Sequence, residues 1–175
     1  KSEENLKKIF VSWQDVENHT QEILRQLHLN NWKPDYVVGI TRGGLTPANL
    51  ISQYLNIPMH TLKVSLRDDS DQSESNLWMA MDAFGSNETS GKNILIVDDI
   101  NDSGATLNWI KQDWEDSCFP GEPHWNFVWS NNVRVAVLCD NEASASELKI
   151  SYSAVDLNKV EEDCWIVFPW EDWWK

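Results

Sequence analysis

Three carboxylates and a hydroxyl-rich turn follow an apolar run near the middle of the chain. In the segment ILIVDDINDSGATLNWI, residues 94–110, the adjacent pair Asp98 and Asp99 follows four aliphatic residues, and the turn DSGAT covers residues 102–106. Apolar residues at helical spacing begin directly after this turn. Backbone N–H groups and hydroxyls at the start of a helix bind a phosphate monoester well. The turn therefore predicts a phosphate site.

The adjacent carboxylates indicate a second ligand, because they would repel a phosphate. A sugar diol and a Mg²⁺ ion both bind carboxylate oxygens. Asp98 and Asp99 together with the turn thus predict a site for a phosphorylated sugar and a metal. A helix cap is the structural alternative, since Asp, Ser and Thr are common at helix starts. A cap accounts for one aspartate and one hydroxyl, and leaves two adjacent aspartates after an aliphatic strand unexplained.

The surrounding pattern of strands and helices indicates a parallel sheet. Short apolar runs predict strands at residues 36–40, 59–66, 94–97, 133–139 and 151–157. Strands that alternate with helices are typical of an α/β fold with right-handed crossovers. We expect one domain over residues 1–175, with a central, mostly parallel sheet flanked by helices. In such sheets ligands bind at the carboxyl ends of the strands, where residues 98–106 fall.

Three helices are predicted, one before the first of these strands and two between strands. The first begins after Ser12, with Asp15 at the capping-box position. The second opens with Thr46 as its cap residue and a proline at its first helical position. The third follows the carboxylate segment, and three apolar residues mark it: Leu107, Ile110 and Trp114.

Two segments do not fit this alternation. Residues 67–91 are rich in Ser, Asp, Asn and Glu, with a small apolar island at residues 77–84. Loops of that length in compact domains tend to be functional or disordered, so we expect a flexible active-site loop. Residues 117–132 contain three of the prolines and glycines of the chain and predict an irregular insertion, for which an oligomer contact is one role.

The composition restricts the partners and the compartment. A net charge of −14 argues against nucleic-acid binding, which depends on Lys and Arg against phosphates, so a phosphorylated ligand would require backbone amides, a divalent cation or one well-placed arginine. No apolar run is long enough for a membrane span, and the start KSEENLKK lacks the apolar segment of a signal peptide. Three widely spaced cysteines are typical of a reducing compartment, so we expect a cytoplasmic protein.

Four segments of the chain resemble the type I phosphoribosyltransferase family, and its xanthine-guanine branch in particular. Residues 94–106 are similar to the motif that binds phosphoribosyl pyrophosphate (PRPP) in that family. IFVSWQDVENHTQEILRQL resembles its opening helix, VVGITRGGLTPANLIS its pyrophosphate-binding strand, loop and helix, and CWIVFPWED its base-binding segment. These segments occur in the family's order between residues 9 and 172, so the resemblance covers nearly the whole chain.

The resemblance implies a type I phosphoribosyltransferase fold and a PRPP site that requires Mg²⁺. Asp98 and Asp99 would hold the ribose hydroxyls and the metal, and Asp102 would be the general base that takes a proton from the purine ring. Arg42 and Gly43 match the family's pyrophosphate loop, which contains a cis peptide. The 5′-phosphate would be bound by the turn Asp102, Ser103, Gly104, Ala105 and Thr106.

The resemblance also implies a base site with one departure from the family. Trp165 would stack on the base and the Ile166 backbone would contact its edge, within a base-binding and hood segment at residues 158–175. The family's 6-oxopurine enzymes place a lysine just after the fourth strand, where this chain has Asp140 or Asn141. A carboxylate there accepts a hydrogen bond and cannot donate one. Either the base carries an amine at that edge, or another residue supplies the donor.

The function that the resemblance implies is Mg²⁺-dependent transfer of phosphoribosyl from PRPP to a nucleobase, with release of pyrophosphate, in nucleotide salvage. Two alternatives remain open: a regulator that binds PRPP, and a phosphoribosyltransferase-like binding protein that has lost its base site. Members of the family are commonly dimers or tetramers, so a homo-oligomer is expected by analogy.

Overall fold

A computed structural model describes residues 6–64, 66, 76–86 and 89–175. Its central sheet has five parallel strands in the order β3-β2-β4-β5-β6, which confirms the predicted parallel α/β architecture. The elements are β1 (Lys7–Phe10), α1 (Trp13–Leu29), β2 (Tyr36–Ile40), α2 (Leu45–Leu55), β3 (Met59–Leu62), α3 (Leu77–Phe84), β4 (Ile94–Asn101), α4 (Ala105–Ser117), α5 (His124–Val128), β5 (Val133–Asn141), β6 (Tyr152–Leu157) and β7 (Cys164–Val167).

Helices cover both faces of the sheet, and each face has its own core. Ile94 and Ile96 of β4 point into a cluster with buried residues of α3, α4 and α5. Leu95 and Val97 point the other way, into a cluster with α1, α2 and β7. This alternation follows from the two-residue period of a strand, and it leaves β4 buried on both sides. No helix in the described ranges is long and apolar enough to cross a bilayer.

All five predicted strands of the sheet are present. β2 has the predicted ends and β6 begins one residue later than predicted, whereas β3, β4 and β5 end at other residues. β3 ends at Leu62 rather than at residue 66, because it is an edge strand whose only neighbour, β2, ends at Ile40 opposite Leu62. β4 and β5 run further than predicted, because they pair with each other as far as Asn101 and Asp140. The strand β4 therefore includes the carboxylate pair.

The terminal segments form a second, two-stranded parallel sheet from β1 and β7. Neither strand was predicted as such, although a hood built from terminal segments was. Each strand has four residues and depends on the other for its hydrogen bonds, for example where Ile9 lies opposite Ile166. Local sequence patterns do not reveal a pairing between strands that lie near opposite ends of the sequence.

Two of the three predicted helices begin at the predicted position and the other does not. The capping box of α1 is present, with Asp15 N–H donating to Ser12 Oγ and Ser12 N–H donating to Asp15 Oδ2. The prediction of Thr46 as the cap of α2 is wrong. The helix begins at Leu45 with Gly44 as its N-cap, because the Gly44 carbonyl already accepts a helical hydrogen bond from the amide of Ala48.

The two irregular segments contain helices that were not predicted. Residues 77–84 form α3, and Met79, Ala80 and Ala83 are buried in the core, so the prediction of a loop is wrong there. The part of that prediction at residues 67–75 lies outside the described residues. The insertion at 117–132 contains α5, whose Trp125 and Val128 are also buried.

Candidate active site

The strand order places a crevice between β2 and β4. The chain leaves β2 towards β3 on one side, and the next strand, β4, lies on the other side of β2. In parallel sheets ligands bind at such a switch point, at the carboxyl ends of the strands. The loop after β2 and the carboxylate pair of β4 both lie at this edge of the sheet.

Asp98 and Asp99 are half-buried neighbours at the end of β4. Burial raises the pKa of Asp98 well above its usual value, and the charge of Asp99 raises this pKa further. Burial also raises the pKa of Asp99. Each carboxylate accepts a hydrogen bond from the next backbone amide, at 2.8 Å for Asp98 Oδ1 and 2.7 Å for Asp99 Oδ1. Two like charges held together in this way favour a bound cation.

The loop between β2 and α2 contacts this pair. The Thr41–Arg42 peptide bond is cis. A Cβ at Gly43 would overlap the carboxylate of Asp99, so only glycine allows the backbone to lie this close. Arg42 is exposed beside it. The structure thus brings the predicted pyrophosphate loop and the predicted metal ligands together.

The turn at residues 102–106 lines a cavity of about 240 Å³ together with the carboxylate pair, Leu107 and Val137. Gly104 is the N-cap of α4 with φ of 90°, and a side chain there would overlap the backbone of Ser146. The exposed Ser103 hydroxyl accepts a hydrogen bond from the amide of Ala105 at 3.2 Å. The turn therefore combines a helix start, backbone amides and hydroxyls in one concave surface.

Asp102 reaches from this turn to a lysine that the sequence analysis did not single out. Its Oδ1 lies 3.0 Å from Nζ of Lys159, in the segment between β6 and β7. The Lys159 side chain is only 15% exposed, whereas that of Asp102 is 52% exposed. A half-exposed carboxylate beside the cavity is placed to exchange a proton with a ligand.

Asp140 has a partner within the sheet. Its Oδ1 accepts a hydrogen bond of 2.9 Å from Nδ2 of Asn101, which lies opposite it in the β4–β5 ladder. The same amide also donates to Ser144 Oγ at 2.8 Å. Burial raises the pKa of Asp140. One of its oxygens is thus engaged with β4, and Asn101 connects β4 to Ser144.

Trp165 and Ile166 lie on β7, outside the set of residues that line the 240 Å³ cavity. Trp165 is 44% exposed, whereas Ile166 is buried in the core cluster that also contains residues of α1 and α2. The backbone of Ile166 pairs with that of Ile9 in β1. The exposed indole is free to stack on a planar ligand.

Sequence reasoning missed Asn101 and Lys159, and it named Asn141 only at the position of the family's lysine. Asn101 and Asn141 are buried amides that connect segments far apart in the chain, and no local pattern marks these contacts. For Lys159 a signal existed, since it is the only basic residue between β6 and β7.

The donor set fits a magnesium ion that completes its shell with water and substrate oxygens. The described residues contain no group of three or more His, Cys, Asp or Glu side chains that could hold a metal by itself. Mg²⁺ is usually bound by one or two carboxylates together with substrate phosphates and waters. Asp98 and Asp99 offer that number of carboxylates at the edge of the 240 Å³ cavity.

Comparison with known proteins identifies a family model, relatives and solved structures that match this chain. A family model described as "Phosphoribosyl transferase domain" matches residues 8–172. The chain is similar to the hypoxanthine-guanine phosphoribosyltransferase of Schizosaccharomyces pombe, with 25% identity over 94% of this chain and 89% of that protein. It is similar to the xanthine-guanine phosphoribosyltransferase of Idiomarina loihiensis, with 27% identity over 94% and 88%. Its fold is similar to that of the purine phosphoribosyltransferase from Pyrococcus horikoshii Ot3, with a TM-score of 0.65 and 23% identity over 94% and 95%.

Proposed function

Because the chain belongs to the phosphoribosyl transferase domain family, we propose that it transfers the 5-phosphoribosyl group of PRPP to a purine base. A bond forms between a ring nitrogen of the base and C1 of the ribose, and the bond from C1 to the pyrophosphate breaks. The proton of the base leaves to the protein. The names of the curated relatives, which act on hypoxanthine, guanine and xanthine, support a purine as the acceptor.

The single observation that carries this proposal is the contact between the β2–α2 loop and the carboxylate pair. Gly43 lies directly against Asp99, so a group held by the loop backbone and Arg42 would sit beside the carboxylates. A pyrophosphate needs positive charge and N–H donors, and a ribose diol needs carboxylate acceptors. The crevice supplies donors for the pyrophosphate and acceptors for the ribose side by side, as the bond between these two parts of PRPP requires.

Each part of PRPP then has residues of its own. The amides and hydroxyls of residues 102–106 bind the 5′-phosphate, with Ser103 and Thr106 as hydroxyl donors. Asp98 and Asp99 hold the ribose hydroxyls and Mg²⁺. A Mg²⁺ ion bound there would stabilise the negative charge that develops on the leaving pyrophosphate. A chain with a net charge of −14 offers few other cations for that purpose.

The base is held over the carboxyl ends of β4 and β5. Asp102 accepts the proton of the ring nitrogen, since its half-exposed carboxylate borders the cavity. Trp165 stacks on the base, the Ile166 backbone contacts its edge, and Asp140 lies near that edge.

The wider setting follows the same analogy. We place the reaction in purine salvage, in a homo-oligomer of two or four copies. A cytoplasmic location accords with the three cysteines, all of which are unpaired and buried.

Replacing Asp102 separates an enzyme from a protein that only binds PRPP. In Asp102→Asn the acceptor for the proton is lost and the turn keeps its shape, so we expect kcat to fall by about 10²- to 10⁴-fold while PRPP binding persists. Initial rates of pyrophosphate release and calorimetric titration with PRPP measure the two effects. Asp116→Asn, on the exposed side of α4, is the matched control and should leave both unchanged. Unchanged transfer in Asp102→Asn would remove Asp102 from the role of base, and a wild-type protein that binds PRPP without transfer would be a regulator or binding protein.

A further inference from the structure

Lys159 has the least exposed side chain of the six basic residues that form ion pairs in the described structure. Its side chain is 15% exposed, against 23–68% for the other five. Lysine is rarely buried unless it has a partner. Its one ion-pair partner in the part of the chain that the structure describes is Asp102. The ammonium carries three N–H donors, so donors remain for a ligand.

Hydrogen bonds from the end of β5 fix the backbone at this lysine. The buried side chain of Asn141 donates to the carbonyl of Asp102 at 2.9 Å and accepts from the backbone amide of Lys159 at 3.1 Å. One side chain thus holds the backbone of both members of the ion pair. The amide of Glu142 also donates to the carbonyl of Leu157, which ties the start of the same segment to β5.

The charge of Lys159 acts at the carboxyl end of β5, where a base would lie. Burial raises the pKa of the Cys139 thiol to about 12, and the positive charge of Lys159 acts against that increase. The negative charge of Asp99 acts on the same thiol in the opposite direction. The backbone amide of Lys159 donates to Asn141, the last residue of β5, so Lys159 lies near the strand end that carries Asp140.

A carboxylate and an ammonium 3.0 Å apart form an adjacent acceptor and donor. A ligand that satisfies both needs an N–H beside a carbonyl on a single edge. Purines carry N7 and the C6 substituent on one edge, and that substituent is the acceptor O6 in guanine and the donor N6–H₂ in adenine. An oxygen at C6 would accept a hydrogen bond from the ammonium. An amino group at C6 is a donor like the ammonium, so the two would form no hydrogen bond.

We propose that Lys159 is the specificity-determining residue that donates to the C6 oxygen of the purine while Asp102 takes the proton from N7. The chain would then prefer 6-oxopurines to 6-aminopurines, with the donor supplied from the β6–β7 segment instead of from the end of β5. The proposal rests on the proposed function, because it requires the base to lie beside Asp102. Asp140, one oxygen of which is engaged with Asn101, then has a structural part in the site.

Nucleotide binding tests the assignment without requiring turnover. Inosine and adenosine 5′-monophosphate differ at C6, and each can be titrated into the protein by calorimetry in the absence of PRPP. We expect the wild type to bind the inosine nucleotide about 10- to 100-fold more tightly, as expected for one hydrogen bond to a charged donor. Lys159→Met should lose that preference and leave binding of the adenosine nucleotide close to wild type. Lys159→Arg, which keeps a donor, should retain a preference, and Lys149→Met on an exposed loop position should match the wild type.

Three outcomes would overturn the assignment: equal affinities in the wild type, a preference that survives in Lys159→Met, or an equal loss of both nucleotides in Lys159→Met with no preference left in Lys159→Arg. The last would make the ion pair purely structural. Pyrophosphate release from PRPP with hypoxanthine, measured in parallel on the wild type, separates this result from the reaction itself. If the wild type prefers the inosine nucleotide but releases no pyrophosphate, the role of Lys159 is supported and the proposed function is contradicted. If pyrophosphate is released and Lys159→Met keeps the preference, the proposed function is supported and the role of Lys159 is contradicted.

Discussion

At the scale of single residues, the carboxylate pair destabilises the folded protein when no cation is bound. Asp98 and Asp99 are half-buried and adjacent, and burial raises the pKa of both. A raised pKa means that the folded state binds the proton more tightly than the unfolded state does. The free energy of unfolding therefore falls as the pH rises from the ordinary carboxyl value of 3.8 through the raised pKa of Asp98. Each unit of increase in pKa amounts to about 1.4 kcal/mol at higher pH.

Asp98→Asn should therefore stabilise the cation-free protein, and more so at pH 8 than at pH 4.5. The asparagine keeps an oxygen for the amide of Asp99 and removes the buried charge. Urea unfolding in excess chelator, measured from pH 4.5 to 8, gives the difference in the free energy of unfolding between variant and wild type. Asp116→Asn, on the solvent side of α4, should show a difference that is independent of pH. A variant that is less stable than the wild type at pH 8 would contradict a raised pKa at Asp98.

The acidic residues of the site could be predicted because they are contiguous. Asp98, Asp99 and the turn at 102–106 form one uninterrupted motif, and the structure places all of them around one cavity. Lys159 joins them through a tertiary contact between the turn and the β6–β7 segment. A contact of that kind depends on how two loops pack, which a local pattern does not encode.

At the scale of elements, α3 shows where composition misled the sequence analysis. The segment LWMAMDAF lies between long polar stretches, whose composition is typical of a loop. Its residues are good helix formers, and Met79, Ala80 and Ala83 recur at the spacing of one helical face. β1 and β7, in contrast, have no local signal, since each is stabilised by the other.

Two neighbouring methionines test whether α3 is part of the core. Met79 is 2% exposed and Met81 is 55% exposed on the same helix. Met79→Ala leaves a cavity and should lower the free energy of unfolding by about 2–5 kcal/mol. Met81→Ala is the matched control, for which a change within about 0.5 kcal/mol is expected. Both are measured by chemical unfolding, and equal effects of the two substitutions would mean that this segment does not pack as a core helix.

At the scale of the whole molecule, the strand order combines the parts of the site. The loop after β2 and the end of β4 are separated in the sequence by β3 and α3, yet they are adjacent because the sheet order reverses between β2 and β4. The α/β class could be predicted from the alternation of elements. The position of Gly43 against Asp99 could be expected only through the family resemblance, because it depends on the order of the strands and not on their number.

The measurement that tests the central claim most directly is pyrophosphate release from PRPP and Mg²⁺ with a panel of guanine, xanthine, hypoxanthine, adenine, cytosine and uracil, with the nucleotide product identified by mass spectrometry. We expect release with at least one 6-oxopurine, and its loss in excess chelator, because Arg42 alone cannot offset the charge of the leaving group beside two carboxylates. No release with any base, while PRPP still binds, would contradict the transferase function. Release that persists in excess chelator would contradict the role of the metal.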